Sequence, residues 1–491
     1  LPVSKIDTVI LLQDIVDQLN VGEMPPQKAK QPEADELRAA VAELTRTIAE
    51  ARTKFASTGR QTVLRRLNRR EYVRTVGDLF AMNMTMFDPT TKFPRDEIDA
   101  HMDNIGSSLK TSGYLLAQYL DAADQVVEKA FATKERPPEK SWRFAGNFQQ
   151  QQELRHHGQI FQFRYLCLYE TTTSEKHEGA YGPIHEFSGG VPVDGYYELK
   201  VKAEAKNRKH PYDPAIFAMD PAVPFRLGIV SGNQKAGALY LPQPIEPLLG
   251  ETVVKDGEPE WYTFKVWLDA GHSPRFIFPN GMMSVRNSYS IIHRKYNNQF
   301  PKDVQNAAGI AAKRIAVIQH GKLPHIRIHE VQVRGPLIEQ WPPATQTAVL
   351  GELPFEPGRT RAILEAFATR AYRRPVRADE ADRLMAVVER RLKDGKEPLE
   401  ALKGALKAIL CSPAFLYLAD PVEEPLTKVR PLSAHALATR LSYFIWSTTP
   451  DAELTKLAQT GELAQAGGAH RPDAASPRQP ALGRVGFRPA R

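Results

Sequence analysis

Apolar residues recur at helical spacing toward both ends of the chain and at strand spacing through its middle. Ile6, Val9, Ile10, Ile15, Val16 and Leu19 share one helical face, and Asn20-Val21-Gly22 closes that helix with loop formers. Met24-Pro25-Pro26 makes a stiff loop, after which a second helix is predicted from Ala34 to Ala51, behind Pro32. In a third helical region, residues 61–133, Leu64, Leu67, Tyr72, Val76, Leu79 and Phe80 line one face while arginines cover the other. Phe93-Pro94 interrupts it, and Tyr114 to Phe131 forms a further amphipathic helix that needs a partner surface.

Between residues 137 and 340 the pattern changes to short alternating runs separated by Gly, Pro and Asn. Strands are predicted over Tyr196–Ala203, Phe225–Val230, Trp261–Leu268, Pro274–Phe278 and Ile326–Val333. Such a length of aromatic-rich strands implies a jelly-roll-like antiparallel β-sandwich. Helical periodicity returns after Trp341-Pro342-Pro343, in Arg361–Tyr372, Ala378–Lys393, Leu399–Leu410 and His435–Trp446. The expected fold class is multidomain α plus β, with helical segments flanking the sandwich. The expected boundaries are 1–55, 61–133, 137–340, 355–420 and 430–463, with a tail at 464–491.

The length of 491 residues suits about three hydrophobic cores, and the 42% hydrophobic and 25% charged fractions are those of a globular protein. The net charge is +8, and the tail carries half of it in five arginines against Asp473. The remaining chain is nearly balanced, which gives nucleic-acid binding little support. The tail lacks bulky apolar residues and is expected to be disordered or the product of a reading-frame error. Cys167 and Cys411 stand far apart and outside any C-x-x-C pair, so neither a zinc site nor a disulfide framework is read. No apolar run is long enough for a membrane span. Nucleotide, nucleophile-elbow and zincin motifs are missing, so no complete active site is recognised and catalytic residues are read as none.

Leu64-Arg65-Arg66-Leu67-Asn68-Arg69-Arg70-Glu71-Tyr72, followed by Asp78-Leu79, Phe93-Pro94, Asp103-Asn104 and Tyr119 to Ala123, resembles a planctomycete-type domain of unknown function. Ala371 to Val376 through Ser412 to Leu416, and Arg440 to Ser447 through Asp451 to Leu454, resemble two further domains of the same multidomain cytochrome c fusion family. The resemblance implies an extracytoplasmic protein, binding polysaccharide and associated with electron transfer, with an unknown redox partner. It also implies that Gly22-Glu23-Met24-Pro25-Pro26 is the methionine loop of a cytochrome c segment, Met24 being a haem axial ligand. C-x-x-C-H is missing, so haem c is expected only if an attachment motif lies upstream of Leu1. The alternative is a redox-inert envelope scaffold carrying the same sugar module.

The middle region resembles the carbohydrate-binding modules inserted in many relatives. Aromatic rings pack on sugar faces, so Trp261, Trp267, Tyr181 and Tyr212 are the candidates, with Tyr262 beside them. Alternation splits Tyr262, Phe264 and Val266 from Trp261, Thr263, Lys265 and Trp267, one set facing a core. Such modules often bind calcium, for which Glu178, Glu186 and Asp194 are the oxygen donors considered. His156-His157 and His177 are weaker metal candidates. His325, Arg327 and His329 share a strand face, the two histidines roughly 13 Å apart and too distant for one ion, and are read as solvated. Arg65, Arg66, Arg69 and Arg70 are read as a solvated or ion-paired helix face.

Overall fold

The computed structural model describes residues 6–26, 28–55, 64–99, 101–146, 148–149, 162–163, 165–173, 179–217, 219–283, 288–418 and 432–464. They divide into two units, Leu1–Leu64 with Ala419–Ser433 and Arg65–Leu418 with Ala434–Arg491.

The first unit is a helix pair, α1 (Ile6–Asn20) and α2 (Ala34–Phe55). Val9 and Val16 meet Ile48 and Ala51, with Leu12, Val41 and Leu44 packed beside them. Asp35 and Glu36 in the first turn of α2 face its positive dipole end. Ile10, expected on the buried face, is exposed.

The second unit starts with α3 (Arg69–Leu79), which is shorter than the apolar pattern suggested. A capping box fixes its start: Asn68 Oδ1 accepts from Glu71 N at 2.8 Å, and Glu71 accepts from Asn68 N at 3.0 Å. Arg65, Arg66 and Leu67 therefore precede the helix instead of lining it, and the backbone of Leu67 donates to Leu416 O at 2.8 Å. α4 (Gly113–Ala130) follows, capped by Ser112.

The strands are β1 (Lys140–Ala145), β2 (Phe148–Gln149), β3 (Gln162–Phe163), β4 (Leu166–Leu168), β5 (Tyr181–Pro183), β6 (Gly195–Lys206), β7 (Phe225–Asn233), β8 (Leu248–Val254), β9 (Glu260–Leu268), β10 (His272–Ile277) and β11 (His325–Gly335). They form two open antiparallel sheets, in the orders β1-β11-β6-β9, with β4 also on β11, and β5-β10-β7-β8; β2 and β3 pair separately. Leu199, Val201, Ile328 and Val331 of the first sheet share one core with Phe225, Ile229 and Phe276 of the second. Two helices, α5 (Ser288–Lys295) and α6 (Gly309–His320), were not anticipated. They build a satellite core with Cys167, Tyr169, Tyr212, Phe217 and Leu323.

The chain then returns to helix: α7 (Ala344–Leu350), α8 (Thr360–Tyr372), α9 (Ala378–Lys393), α10 (Pro398–Leu410), α11 (Pro413–Leu416), α12 (Ala434–Ile445) and α13 (Ala452–Thr460). These do not build separate cores. Tyr72, Tyr119, Val126, Phe367, Leu406, Phe415 and Tyr443 belong to one cluster, so the helical regions on either side of the sheets form a single body. Thr345 Oγ1 donates to Ala130 O at 2.9 Å and Gln346 Nε2 to Thr133 O at 2.6 Å. The sheets are thus an insertion whose entry and exit are pinned side by side.

Candidate functional site

Alternation along β9 decides which aromatics can meet a ligand. Tyr262, Phe264 and Val266 turn into the shared core, whereas Trp261, Thr263, Lys265 and Trp267 alternate to the other face, on which the first three are exposed and Trp267 is half-buried and still packs against the core. β9 ends its sheet and pairs with β6 alone, Trp261 opposite Lys202 and Trp267 opposite Tyr196. Trp261 is 44% exposed. The Tyr196 and Trp267 rings meet edge to face, with centroids 5.2 Å apart, and Lys265 Nζ lies 5.0 Å from the Tyr196 ring centre.

The Trp267 end is held by charge. Its Nε1 donates to Asp269 Oδ1 at 2.8 Å, and Asp269 Oδ2 accepts from Lys129 Nζ at 2.9 Å. Lys129, on α4, also donates to Asp194 Oδ2 at 2.5 Å, and the other Asp194 oxygen accepts from Ala270 N at 2.8 Å. Burial disfavours the charged lysine, but Asp269 and Asp194 outweigh it and hold its pKa above the ordinary value. A left-handed Gly190 lies against the same turn, with Val191 N donating to His272 O at 2.9 Å.

Trp267 and Tyr196 open onto a cleft of about 2110 Å³. Its walls come from α3, the loop after it, the Pro336–Thr345 connection and the α12–α13 turn. This exceeds the roughly 300–1,000 Å³ of small-molecule sites. Asp78 on one wall is pushed up by burial, opposed by the Thr448 hydroxyl that donates to it at 2.5 Å. His435, which also lines the cleft, is pushed down by burial and then by the charge of Arg374, and its Nε2 is buried without a hydrogen-bond partner.

Two of the four aromatic candidates are corrected. Tyr181 is buried, donating to Glu246 at 2.9 Å beneath the Arg275 guanidinium, whose centre lies 4.7 Å from the ring. Tyr212 belongs to the satellite core and accepts from Lys322 N at 2.7 Å. Neither ring offers a free face. Tyr196 was missed, although its alternation with Tyr197, Leu199 and Val201 puts it on the outer face.

For calcium, Asp194 is consumed by Lys129 and Ala270, Glu186 is exposed on a single-turn helix, and Glu178 lies outside the described residues, as do His156, His157 and His177. Among the described residues no group of three His, Cys, Asp or Glu is placed to hold a metal ion. The solvated reading of β11 is corrected in its first half. His325 is fully buried, with Nδ1 2.6 Å from Leu323 O and Nε2 accepting from Arg327 Nε at 2.8 Å. Arg327 lies over the Tyr165 ring, and His329 Nε2 is 3.0 Å from the buried Glu204 carboxylate.

The arginine cluster is ion-paired. Arg66 is buried against Asp96 at 2.8 Å, Arg65 meets Glu71 at 2.9 Å, Arg69 faces Asp88 at 3.6 Å and Arg70 faces Asp103 at 3.5 Å. Met24 sits in the turn after α1 and is 38% exposed. Residues 1–64 contain neither cysteine nor histidine, so this segment offers one axial sulfur and neither the thioether anchors nor a proximal imidazole. The residues present do not fit a bound haem. Among the described residues no helix is long and apolar enough to cross a membrane.

Comparison with known families finds three domains. Residues 65–132 match PSD3, residues 359–420 match PSD5 and residues 432–471 match PSD4, described respectively as proteins of unknown function DUF1587, DUF1595 and DUF1592. No curated protein matches the chain. Among solved structures, the stem and receptor binding domain of the spike protein P1 from bacteriophage PM2 matches 41% of this chain and 97% of its own at 9% identity, with a TM-score of 0.15.

Proposed function

We propose that this chain is an extracytoplasmic polysaccharide-binding protein of the cytochrome c fusion type, its inserted sheets forming a jelly-roll-like module. The observation that carries the reading is the aromatic pair Tyr196–Trp267 at the mouth of the cleft, with Trp261 further along the same strand face. Apolar ring faces take the C–H face of a pyranose, and the polar groups of the cleft take its hydroxyls. The electron-transfer association follows from the family resemblance alone, with haem c supplied by a longer form of the protein and its redox partner unidentified. The second reading is a redox-inert envelope scaffold that captures polymer by the same face.

The test is a polysaccharide-binding screen of the intact chain with Trp267→Ala and Trp261→Ala, run with calcium and with a chelator. Loss of either ring is expected to weaken binding about tenfold, roughly 1.4 kcal/mol. Variants that bind like the wild type would remove the sugar role from this face.

A further inference from the structure

We propose that Lys129, a residue of the helical body, positions the indole of Trp267, so that a sugar site on the inserted sheets is completed from outside them; this rests on the polysaccharide reading above. The chain of contacts is short. The indole N–H has one acceptor, Asp269 Oδ1 at 2.8 Å, and that carboxylate is held through its other oxygen by Lys129 Nζ at 2.9 Å. Asp269 is 4% exposed, and the Lys129 ammonium is the cation paired with it in that buried place. Lys129 also grips Asp194, which in turn fixes Ala270 in the turn that follows β9.

The anchor belongs to a different core from the sheets. α4 buries Val126, Val127 and Ala130 in the helical core, and its Glu128 pairs with Lys403 and Lys407 of α10. The ammonium is thus delivered by a helix packed in the helical core, whereas Trp267 sits near the end of an edge strand with Tyr196 as its cross-strand neighbour. An aromatic platform held in its binding orientation avoids the ordering cost that a free ring would meet on binding. Without Lys129, the apparent dissociation constant rises as the inverse of the fraction of time the indole stays in register. A ring in register one tenth of the time binds about tenfold more weakly. Lys129 touches no sugar in this scheme and acts through Asp269.

The experiment uses the intact chain labelled with 5-fluorotryptophan, whose five tryptophans give separate fluorine resonances, that of Trp267 assigned by its loss in Trp267→Phe. Affinity is read by retardation in gels containing konjac glucomannan, xylan or alginate. Lys129→Met is expected to shift the Trp267 resonance, leave that of Trp446 in place, and weaken the polysaccharide bound by the wild type about tenfold. Lys129→Arg, which can reach both carboxylates, restores the resonance and most of the affinity. Where Lys129→Met does not fold, Asp269→Asn serves, because the indole and the ammonium each donate to a different Asp269 oxygen and the asparagine puts an NH2 donor in place of one of them. An unmoved Trp267 resonance with unchanged affinity in these variants overturns the positioning role while a weakened Trp267→Ala keeps the sugar reading. Wild-type protein retarded by none of the three polymers, or Trp267→Ala binding as wild type, overturns the sugar reading and the proposal with it.

Discussion

Replacing Asp96 with alanine takes the counter-charge from a buried arginine. Asp96 Oδ1 lies 2.8 Å from Arg66 Nη2, Oδ2 accepts from the backbone N–H of Arg69 at 2.8 Å, and the two side chains are 5% and 9% exposed. The remaining Arg66 donors go to Lys110 O and Leu67 O, each at 3.0 Å. In the variant the guanidinium keeps two carbonyls and no anion, and the first turn of α3 loses an acceptor. Removing one partner of a buried pair costs about 3–5 kcal/mol, and an unmet amide about 1 kcal/mol more. Water entering the vacated space offsets part of this, which leaves roughly 4 kcal/mol against a domain stability on the order of 5–15 kcal/mol. Asp103→Ala is the control: its pair with Arg70 spans 3.5 Å with both side chains well exposed, so the expected loss is below about 0.5 kcal/mol. Urea unfolding followed by far-ultraviolet circular dichroism measures both. If Asp96→Ala unfolds at the same midpoint as Asp103→Ala, the buried pair does not hold this start of the helical body and the reasoning is refuted.

Two further outcomes are expected. Burial, and then the charge of Arg327, push the His325 pKa down to about 3, while the unfolded chain protonates near the ordinary value of about 6.5. The unfolded state therefore binds the extra proton between those values, so the stability from neutral His325 is complete above the ordinary value and is lost as pH falls toward about 3, by up to roughly 1.4 kcal/mol per pH unit. His325→Gln should flatten that slope in unfolding measured from neutral to mildly acidic pH; an unchanged slope would show that the ring is protonated in the folded state. Gly190→Ala places a methyl 2.4 Å from the Gly271 carbonyl carbon at a φ of +72°, and should cost about 2–4 kcal/mol in thermal unfolding. Gly395→Ala, at a φ of +76° with open space around the new methyl, isolates the backbone contribution, and equal losses in the two would show that the contact gives way.

Helix and strand positions were legible where periodicity is local. The predicted strands Tyr196–Ala203 and Trp261–Leu268 lie within β6 and β9, and the helix predicted over Ala378–Lys393 is α9. α5 and α6 were missed because their apolar residues serve a small satellite core and leave a weak stripe. The reach of α3 was overestimated because Leu67 is apolar for another reason: it packs against the end of the helical region about 350 residues later, where its N–H meets Leu416 O. The candidate site divided in the same way. Alternation separates Trp261 and Trp267 from Tyr262 and Phe264, but it gives no warning that Tyr181 lies beneath Arg275 or that Tyr212 is covered by a helical insertion.

The sequence by itself determined the order of helical, strand and helical regions and the two faces of β9, since both follow from side-chain period along one segment. The tertiary structure alone decided that the helical regions before and after the sheets close into one core, and that α4 sends Lys129 across to Asp194 and Asp269. Those contacts join residues far apart in the chain, where no local period links them, and they form only when burial of apolar surface brings the segments together.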